Sequence, residues 1–213
     1  TSESQHDPIE NQLNAQINIV TEPERRDTFP AIALSTYYLL QQKGYSRDEV
    51  VVAMPCDTYT EANYFEVVAQ MAQFAKQGVA DLILMGIPPT HPSTDFGYIV
   101  PSSSIADISF QQVQRFIEKP ETQKAQELLT QGAYWNGGVF AFRLGFVADI
   151  VEQYVKVNNF TELHKRYSEL PKISFDYEVA EKAASAVVLP YHGEWKDLGT
   201  WNALVEELPT STI

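Results

Sequence analysis

Apolar residues are grouped along this chain in two ways, as short uninterrupted runs and as stripes at helical spacing, and the two alternate. Ile17-Asn-Ile-Val20 is a brief apolar run. Thr28-Phe-Pro30 then opens a helix that extends to about Lys43, with Pro30 suited to a first turn and Gly44 to a stop. Val50-Val-Val-Ala-Met54 has the β-branched content of a buried strand, central in the sheet. Phe65, Val68, Ala69, Ala72 and Ala75 recur at helical spacing ahead of Gly78, and Leu82-Ile-Leu-Met-Gly-Ile87 is a further continuous apolar strand. The order β, α, β, α, β predicts parallel strands joined by helical crossovers, an architecture that takes ligands at the carboxyl ends of its strands.

The pattern changes after Pro88-Pro-Thr-His-Pro92. Gly97-Tyr-Ile-Val100 and residues 105–109 and 113–118 read as shorter strands at hairpin-like spacing, which predicts an antiparallel or mixed insertion. Residues 122–130 and 144–154 read as helices around the strand Val139-Phe-Ala-Phe142, and the polar first dozen residues fit a helix or a loose tail equally. The fold class expected is α/β, with a mixed, mainly parallel sheet flanked by helices.

With 213 residues, 44% of them hydrophobic, the chain can bury a substantial core and is read as one domain over residues 1–213. No apolar run is long enough to cross a bilayer, and the polar start Thr1-Ser-Glu-Ser-Gln-His-Asp-Pro8 is unlike a signal peptide, so a cytoplasmic protein without a membrane partner is expected. The lone Cys56 fits a reducing compartment. A net charge of −13 argues against a nucleic-acid surface, and an anionic small substrate would need local help, for which a divalent cation shared by carboxylates and phosphate is suited. His6, His91, His164 and His192 lack metal-ligand spacing, and no nucleophile elbow is present, which weighs against zinc and hydrolase chemistry.

Several polar residues stand where chemistry is expected. Asp57 follows the strand of residues 50–54, where a carboxylate reaches a phosphate-bound metal or caps the next element. Asp197 lies between Trp195 and Trp201 ahead of Gly199 and a helix expected from Thr200, and fits a turn as well as a ligand. Glu118 and Lys119 precede Pro120, which should hold the lysine in an extended segment, as a sugar-phosphate contact or an ordinary charge pair. Asn136-Gly137-Gly138 allows close approach of backbone to a ligand, or a bulge. Arg26 and the first amides of the helix at Thr28 could meet an anion, or Asp27 or Thr28 could simply cap it.

Taken together, Pro55-Cys-Asp57, Phe116-Ile-Glu-Lys-Pro120, Trp135-Asn-Gly-Gly-Val-Phe140 and Trp195-Lys-Asp-Leu-Gly199 resemble the sugar-phosphate half of the bacterial mannose-1-phosphate guanylyltransferases. The resemblance implies a nucleotide-diphospho-sugar transferase, Rossmann-like fold and transfer of GMP from GTP to mannose 1-phosphate, giving GDP-mannose and pyrophosphate. It implies Mg2+ held by Asp57 and Asp197, phosphate contact by Lys119, and sugar contact by Glu118, Asn136, Gly137, Gly97 and Tyr98. Phe96 stands where a tyrosine is frequent, and Lys196 replaces a small polar residue. Glu22-Pro-Glu-Arg-Arg-Asp-Thr-Phe-Pro-Ala31 resembles the segment bordering base and ribose, which assigns nucleotide contacts to Glu22, Arg26 and Thr28; Ser174-Phe-Asp-Tyr-Glu178 resembles a sugar-side segment and assigns Asp176. Asp27 and Phe29 depart from that pattern. The glycine-rich triphosphate loop of the family has no match, so the expectation is a domain lacking its first β-α-β portion, which binds sugar phosphate or nucleotide sugar better than it turns over GTP. A homodimer remains open, as do a non-catalytic sugar-nucleotide-binding or regulatory subunit and a nucleotidyltransferase for another sugar 1-phosphate.

Overall fold

The computed structural model describes residues 1–13, 17–102 and 109–198. In chain order the described elements are α1 (His6–Gln12), α2 (Thr28–Tyr37), β1 (Val50–Ala53), β2 (Thr58–Thr60), α3 (Tyr64–Gln77), β3 (Leu82–Ile87), β4 (Tyr98–Pro101), β5 (Gln111–Ile117), α4 (Thr122–Thr130), β6 (Tyr134–Arg143), α5 (Leu144–Tyr154), α6 (Phe160–Lys165), β7 (Ala186–Pro190) and β8 (Trp195–Asp197). Six strands form a mixed sheet in the order β1-β6-β3-β7-β5-β4, with β6 also pairing to β4, and β2 and β8 form a separate two-stranded ladder. The β3–β7 pair is parallel, whereas β4 with β5, β4 with β6, and β5 with β7 are antiparallel. The chain divides into two compact units, one of Thr1–Val51 and Phe142–Ala184, the other of Val52–Ala141 and Ser185–Ile213.

The first unit is built on α2 and α5. Phe29, Ala33, Leu34 and Tyr37 of α2 and Leu144, Val147, Ala148 and Val151 of α5 are all buried, each large side chain stabilising the fold by roughly 1.5–3 kcal/mol through burial. Phe142 stacks on Phe175 at 5.6 Å. Helix α2 starts where expected because Asp27, at φ 73, accepts the Thr28 N–H at 2.8 Å. It continues as a π-helical turn, Tyr38–Gln42, before ending. Residues 6–12 are helical, whereas residues 17–20 form no strand: Ile17 is half exposed and the Val20 carbonyl accepts from the Thr1 amino group at 2.8 Å. An apolar run becomes a strand only where a neighbour offers a ladder, and none of the described residues does so here.

The second unit is organised by β3, all of whose residues are buried, paired in register with β7 from Leu82 opposite Ala186 to Gly86 opposite Pro190. Helix α3 covers β3 and ends at Gly78 in the left-handed region. Its inward face overlaps the expected stripe only in part. Tyr64, Met71 and Ala75 are buried, while Phe65 is 57% exposed and Ala69 is exposed. Tyr64 takes the inward position, packing edge-on against Tyr191 at 5.2 Å, and its neighbour Phe65 faces outward. Strand β1 stands at an end of the sheet order and is only half buried, so the strand ahead of Asp57 is not the central one expected. Of the segment read as a strand at 105–109, residues 105–108 lie outside the described residues, as do Gly199, Trp201 and the helix expected from Thr200.

Candidate functional site

The short ladder of β2 and β8 pairs Thr58 with Asp197, Tyr59 with Lys196 and Thr60 with Trp195. One step further, the Leu198 N–H donates to the Asp57 carbonyl at 3.1 Å. Two carboxylates 140 positions apart in the sequence therefore sit on neighbouring backbone positions, both exposed. Lys196 lies over the Tyr59 ring at 5.9 Å and 3.5 Å from Glu194, bringing one cation to the same ladder.

A second group in this unit surrounds Gly97. Tyr98 pairs with Ile117 on one side and with Trp135 on the other, and the Asn136 N–H donates to the Gly97 carbonyl at 2.8 Å. A Cβ at Gly97 would lie 2.3 Å from Glu118 Oε2 and 2.9 Å from the Phe116 ring, so glycine is required for the Glu118 side chain, only 7% exposed, to pack there. Glu118 is 3.8 Å from the Lys119 ammonium, which is largely exposed. Lys119 has φ 42, so the extended conformation expected ahead of Pro120 is not adopted. The chain must leave β5 at Ile117 and enter α4 at Thr122, and Lys119 carries the strained backbone of that reversal. Asn136 Oδ1 accepts the Gly138 N–H at 3.1 Å, and Gly138 has φ 70, a conformation that excludes most side chains. The Tyr98 phenol is wholly buried, accepting from the Ser93 N–H at 2.9 Å and donating to the Ser93 carbonyl at 3.0 Å, so it holds the turn before Gly97 from behind.

Trp135 and Trp195, both in quoted motifs, are brought with Phe96 into one aromatic cluster that their spacing in the sequence does not announce. Trp135 meets His91 and Phe96, both at 4.9 Å, and Phe96 meets Trp195 at 5.5 Å. The indole N–H groups of Trp135 and Trp195 are buried without a hydrogen-bond partner among the described residues. Buried donors are nearly always paired in folded proteins, and this cluster holds two that the described residues leave unpaired.

The residues assigned in the first unit are engaged in the fold. Arg26 donates from Nε and a terminal nitrogen to the Leu170 carbonyl at 3.1 and 2.9 Å, and pairs with Glu24 at 3.1 Å. Glu22 accepts the Tyr167 phenol at 2.9 Å; burial, then this bond, hold that phenol well above the ordinary tyrosine range. Thr28 Oγ accepts the Phe175 N–H at 2.8 Å. The Phe29 N–H is taken by the Ile173 carbonyl at 3.2 Å, the Thr28 N–H by Asp27, and Pro30 has none, so the first amides of α2 are not open to an anion as expected. Asp176 opens the π-helical turn Asp176–Ala180, and its carbonyl accepts from Glu181 at 2.8 Å. In that turn, buried Glu178 accepts from the Tyr154 phenol and pairs with Lys182 at 2.8 Å; burial first, then Glu178, pushes Tyr154 up to about 12. Among the described residues, His6, Asp7 and Glu10 form an acidic trio on α1 that the histidine spacing had not suggested, but it is a solvent-facing helix surface.

The model of the nucleotidyl transferase family matches residues 2–212. The chain belongs to that family. It is similar to the mannose-1-phosphate guanylyltransferase of Klebsiella pneumoniae, with 33% identity over 90% of this chain and 44% of the relative. The xanthan biosynthesis protein XanB of Xanthomonas campestris pv. campestris is 34% identical over 88% of this chain and 43% of its own length. This member thus spans somewhat less than half the length of the curated relatives it matches. Among nucleotidyl transferase-like structures, the crystal structure of a mannose-1-phosphate geranyltransferase from Thermus thermophilus superimposes with a TM-score of 0.79 at 30% identity, over 96% of this chain and 61% of that one.

Proposed function

We propose that this chain serves the transfer of GMP from GTP to mannose 1-phosphate, giving GDP-mannose and pyrophosphate, and that its second unit carries the sugar-phosphate and metal part of that chemistry. The observation that supports this reading is the β2–β8 ladder, in which Asp197 lies opposite Thr58 and the next backbone bond ties Leu198 to Asp57. Two exposed carboxylates, one just ahead of β2 and one ending β8, are hard oxygen donors that would leave further coordination positions to phosphate and water, which fits Mg2+. Bound there, Mg2+ would neutralise charge on the phosphates.

The nucleophile is already an anionic phosphate oxygen, so no general base is required. The O–P bond forms at the α-phosphorus as the bond to pyrophosphate breaks, and the work of the protein is to position and neutralise. Lys119 supplies a compact cation on a strained, exposed turn beside Glu118. Glu118, Asn136 and the backbone at Gly97 and Gly137 offer acceptors and donors for sugar hydroxyls, with Tyr98 fixing the turn behind them. The Trp135 and Trp195 indoles present an apolar wall with two N–H donors lacking partners among the described residues. Asp176 is assigned to the sugar, and Glu22, Arg26 and Thr28 to the nucleotide, by family resemblance; their hydrogen bonds here point to shaping the segment more than to free donors.

Calorimetric titration with GDP-mannose, with and without Mg2+, tests the reading. Metal-dependent binding that falls about tenfold or more in both Asp57→Asn and Asp197→Asn is expected. Equal affinity with and without the cation, or in either variant, overturns it.

A further inference from the structure

The ladder that carries Asp57 and Asp197 is three residues long on each strand, and a two-stranded ladder of that size does not hold its own register in water. Something outside it must fix it, and the structure offers one buried side chain placed to do so. Tyr191 follows the last residue of β7, and its N–H donates to the Gly86 carbonyl at 2.8 Å, prolonging the parallel β3–β7 pairing by one bond. Its ring, 2% exposed, is held edge-on by Tyr64. Its phenol oxygen reaches the other way: it is 3.1 Å from Thr60 Oγ at the end of β2, 3.0 Å from Asn63 Oδ1, and 3.3 Å from the Glu194 carbonyl immediately before β8.

One assignment of protons satisfies the geometry, with Thr60 donating to the phenol and the phenol donating to Asn63, while the Glu194 carbonyl, 3.1 Å from Thr60 Oγ, serves as the alternative acceptor for either hydroxyl. The Glu194 N–H is taken by Glu61 at 3.1 Å, so the segment entering β8 is tied to the segment leaving β2 at both its amide and its carbonyl. The space for this is made by Gly193, where a Cβ would lie 2.1 Å from the phenol oxygen and 2.8 Å from Glu61.

We propose that Tyr191 is a positioning residue: its phenol locks the β2–β8 register to the rigid end of β7 and thereby sets the affinity of the Asp57–Asp197 pair for a divalent cation. This rests on the metal reading above. Tyr191→Phe keeps the ring against Tyr64 and removes only the hydroxyl. Thr60→Val removes the same bond from the other side, and Gly193→Ala displaces the phenol sterically. None of these touches a carboxylate of the pair.

Two readouts on the protein separate the parts of the argument: Mn2+ affinity in the presence of GDP-mannose, and hydrogen exchange of the Leu198 amide, which is bonded to the Asp57 carbonyl. In Tyr191→Phe, and again in Thr60→Val, Mn2+ binding about tenfold weaker, the low end of what loss of a supporting contact costs a metal site, is expected together with about tenfold faster Leu198 exchange. Gly193→Ala should match them. Unchanged affinity and unchanged exchange overturn the proposal. Faster exchange with unchanged affinity also overturns it, since the phenol then serves the fold alone. If the unaltered protein binds no Mn2+ while Tyr191→Phe still speeds Leu198 exchange, the metal reading fails and the positioning role fails with it, leaving only the clamp.

Discussion

Replacing Gly97 by alanine isolates the packing that holds Glu118 in place. The added Cβ would stand 2.3 Å from Glu118 Oε2, and ordinary contact begins near 3.4 Å, so the carboxylate must retreat by about 1.1 Å. On the other side the Phe116 ring, 4% exposed and 2.9 Å from the new atom, cannot yield without disturbing the core. Overpacking of this kind costs about 1–3 kcal/mol, and the strain falls on a side chain assigned to the sugar hydroxyls. Gly97→Ala is therefore expected to lower the stability measured by urea unfolding by about 1–3 kcal/mol. It should also weaken GDP-mannose binding by about tenfold, equivalent to about 1.4 kcal/mol. Gly132→Ala is the control. At φ +71 but with nothing within 4 Å, it should cost about 1–2 kcal/mol from backbone strain alone and leave binding unchanged. A Gly97→Ala protein within about 0.5 kcal/mol of the original and binding GDP-mannose equally, the behaviour of an ordinary surface substitution, would refute the close packing of Glu118 and its role together.

Two further expectations concern the first unit and the tyrosines. Arg26→Ala should lose about 1.5–3 kcal/mol of stability, because two donors to the Leu170 carbonyl vanish together, and Arg26→Lys should recover little since an ammonium cannot reproduce the fork; an unaltered urea midpoint would return Arg26 to a purely nucleotide role. Burial pushes Tyr64 and Tyr154 up to about 12 and Tyr167 further, so these groups bind protons more tightly when folded; their stabilisation is whole below about pH 10 and is lost as the pH rises toward 12. Ultraviolet titration should show these three, together with Tyr37, which burial also raises, ionising late or only with unfolding, and a single step near pH 10 with native circular dichroism would contradict that.

The division between what was legible in the residues and what was not follows the range of the interactions involved. Residues 82–87, 122–130 and 144–154 were readable as strand, helix and helix because each carries its own periodicity, and the structure starts and stops them at the same residues. Ala186-Val-Val-Leu-Pro190 carried the same kind of signal and was passed over, although it forms β7, the parallel partner of β3. On α3 the expected Ala75 is buried but Phe65 is exposed, because Tyr64 beside it takes the inward position against Tyr191, more than a hundred residues later. The conformation of Lys119 was misjudged because the local rule for residues before proline competes with a reversal imposed by the elements on either side.

The same distinction governs the site. Motif resemblance could name Asp57 and Asp197 one by one, but their segments are brought together by a backbone ladder between stretches with no sequence periodicity of their own, β2 and β8 being three residues each. A ladder so short exists only where longer-range contacts enforce it, which is why neither strand was foreseen. The residues enforcing it, Tyr191, Thr60, Asn63 and Gly193, carry no motif because their role depends on where β7 ends relative to β2. Chemistry-bearing residues can be read from a sequence by type and spacing, whereas those that fix their relative position emerge only once the chain is folded. On the reading proposed for this protein, the second set decides whether two distant aspartates act as one ligand pair or as two unrelated surface charges.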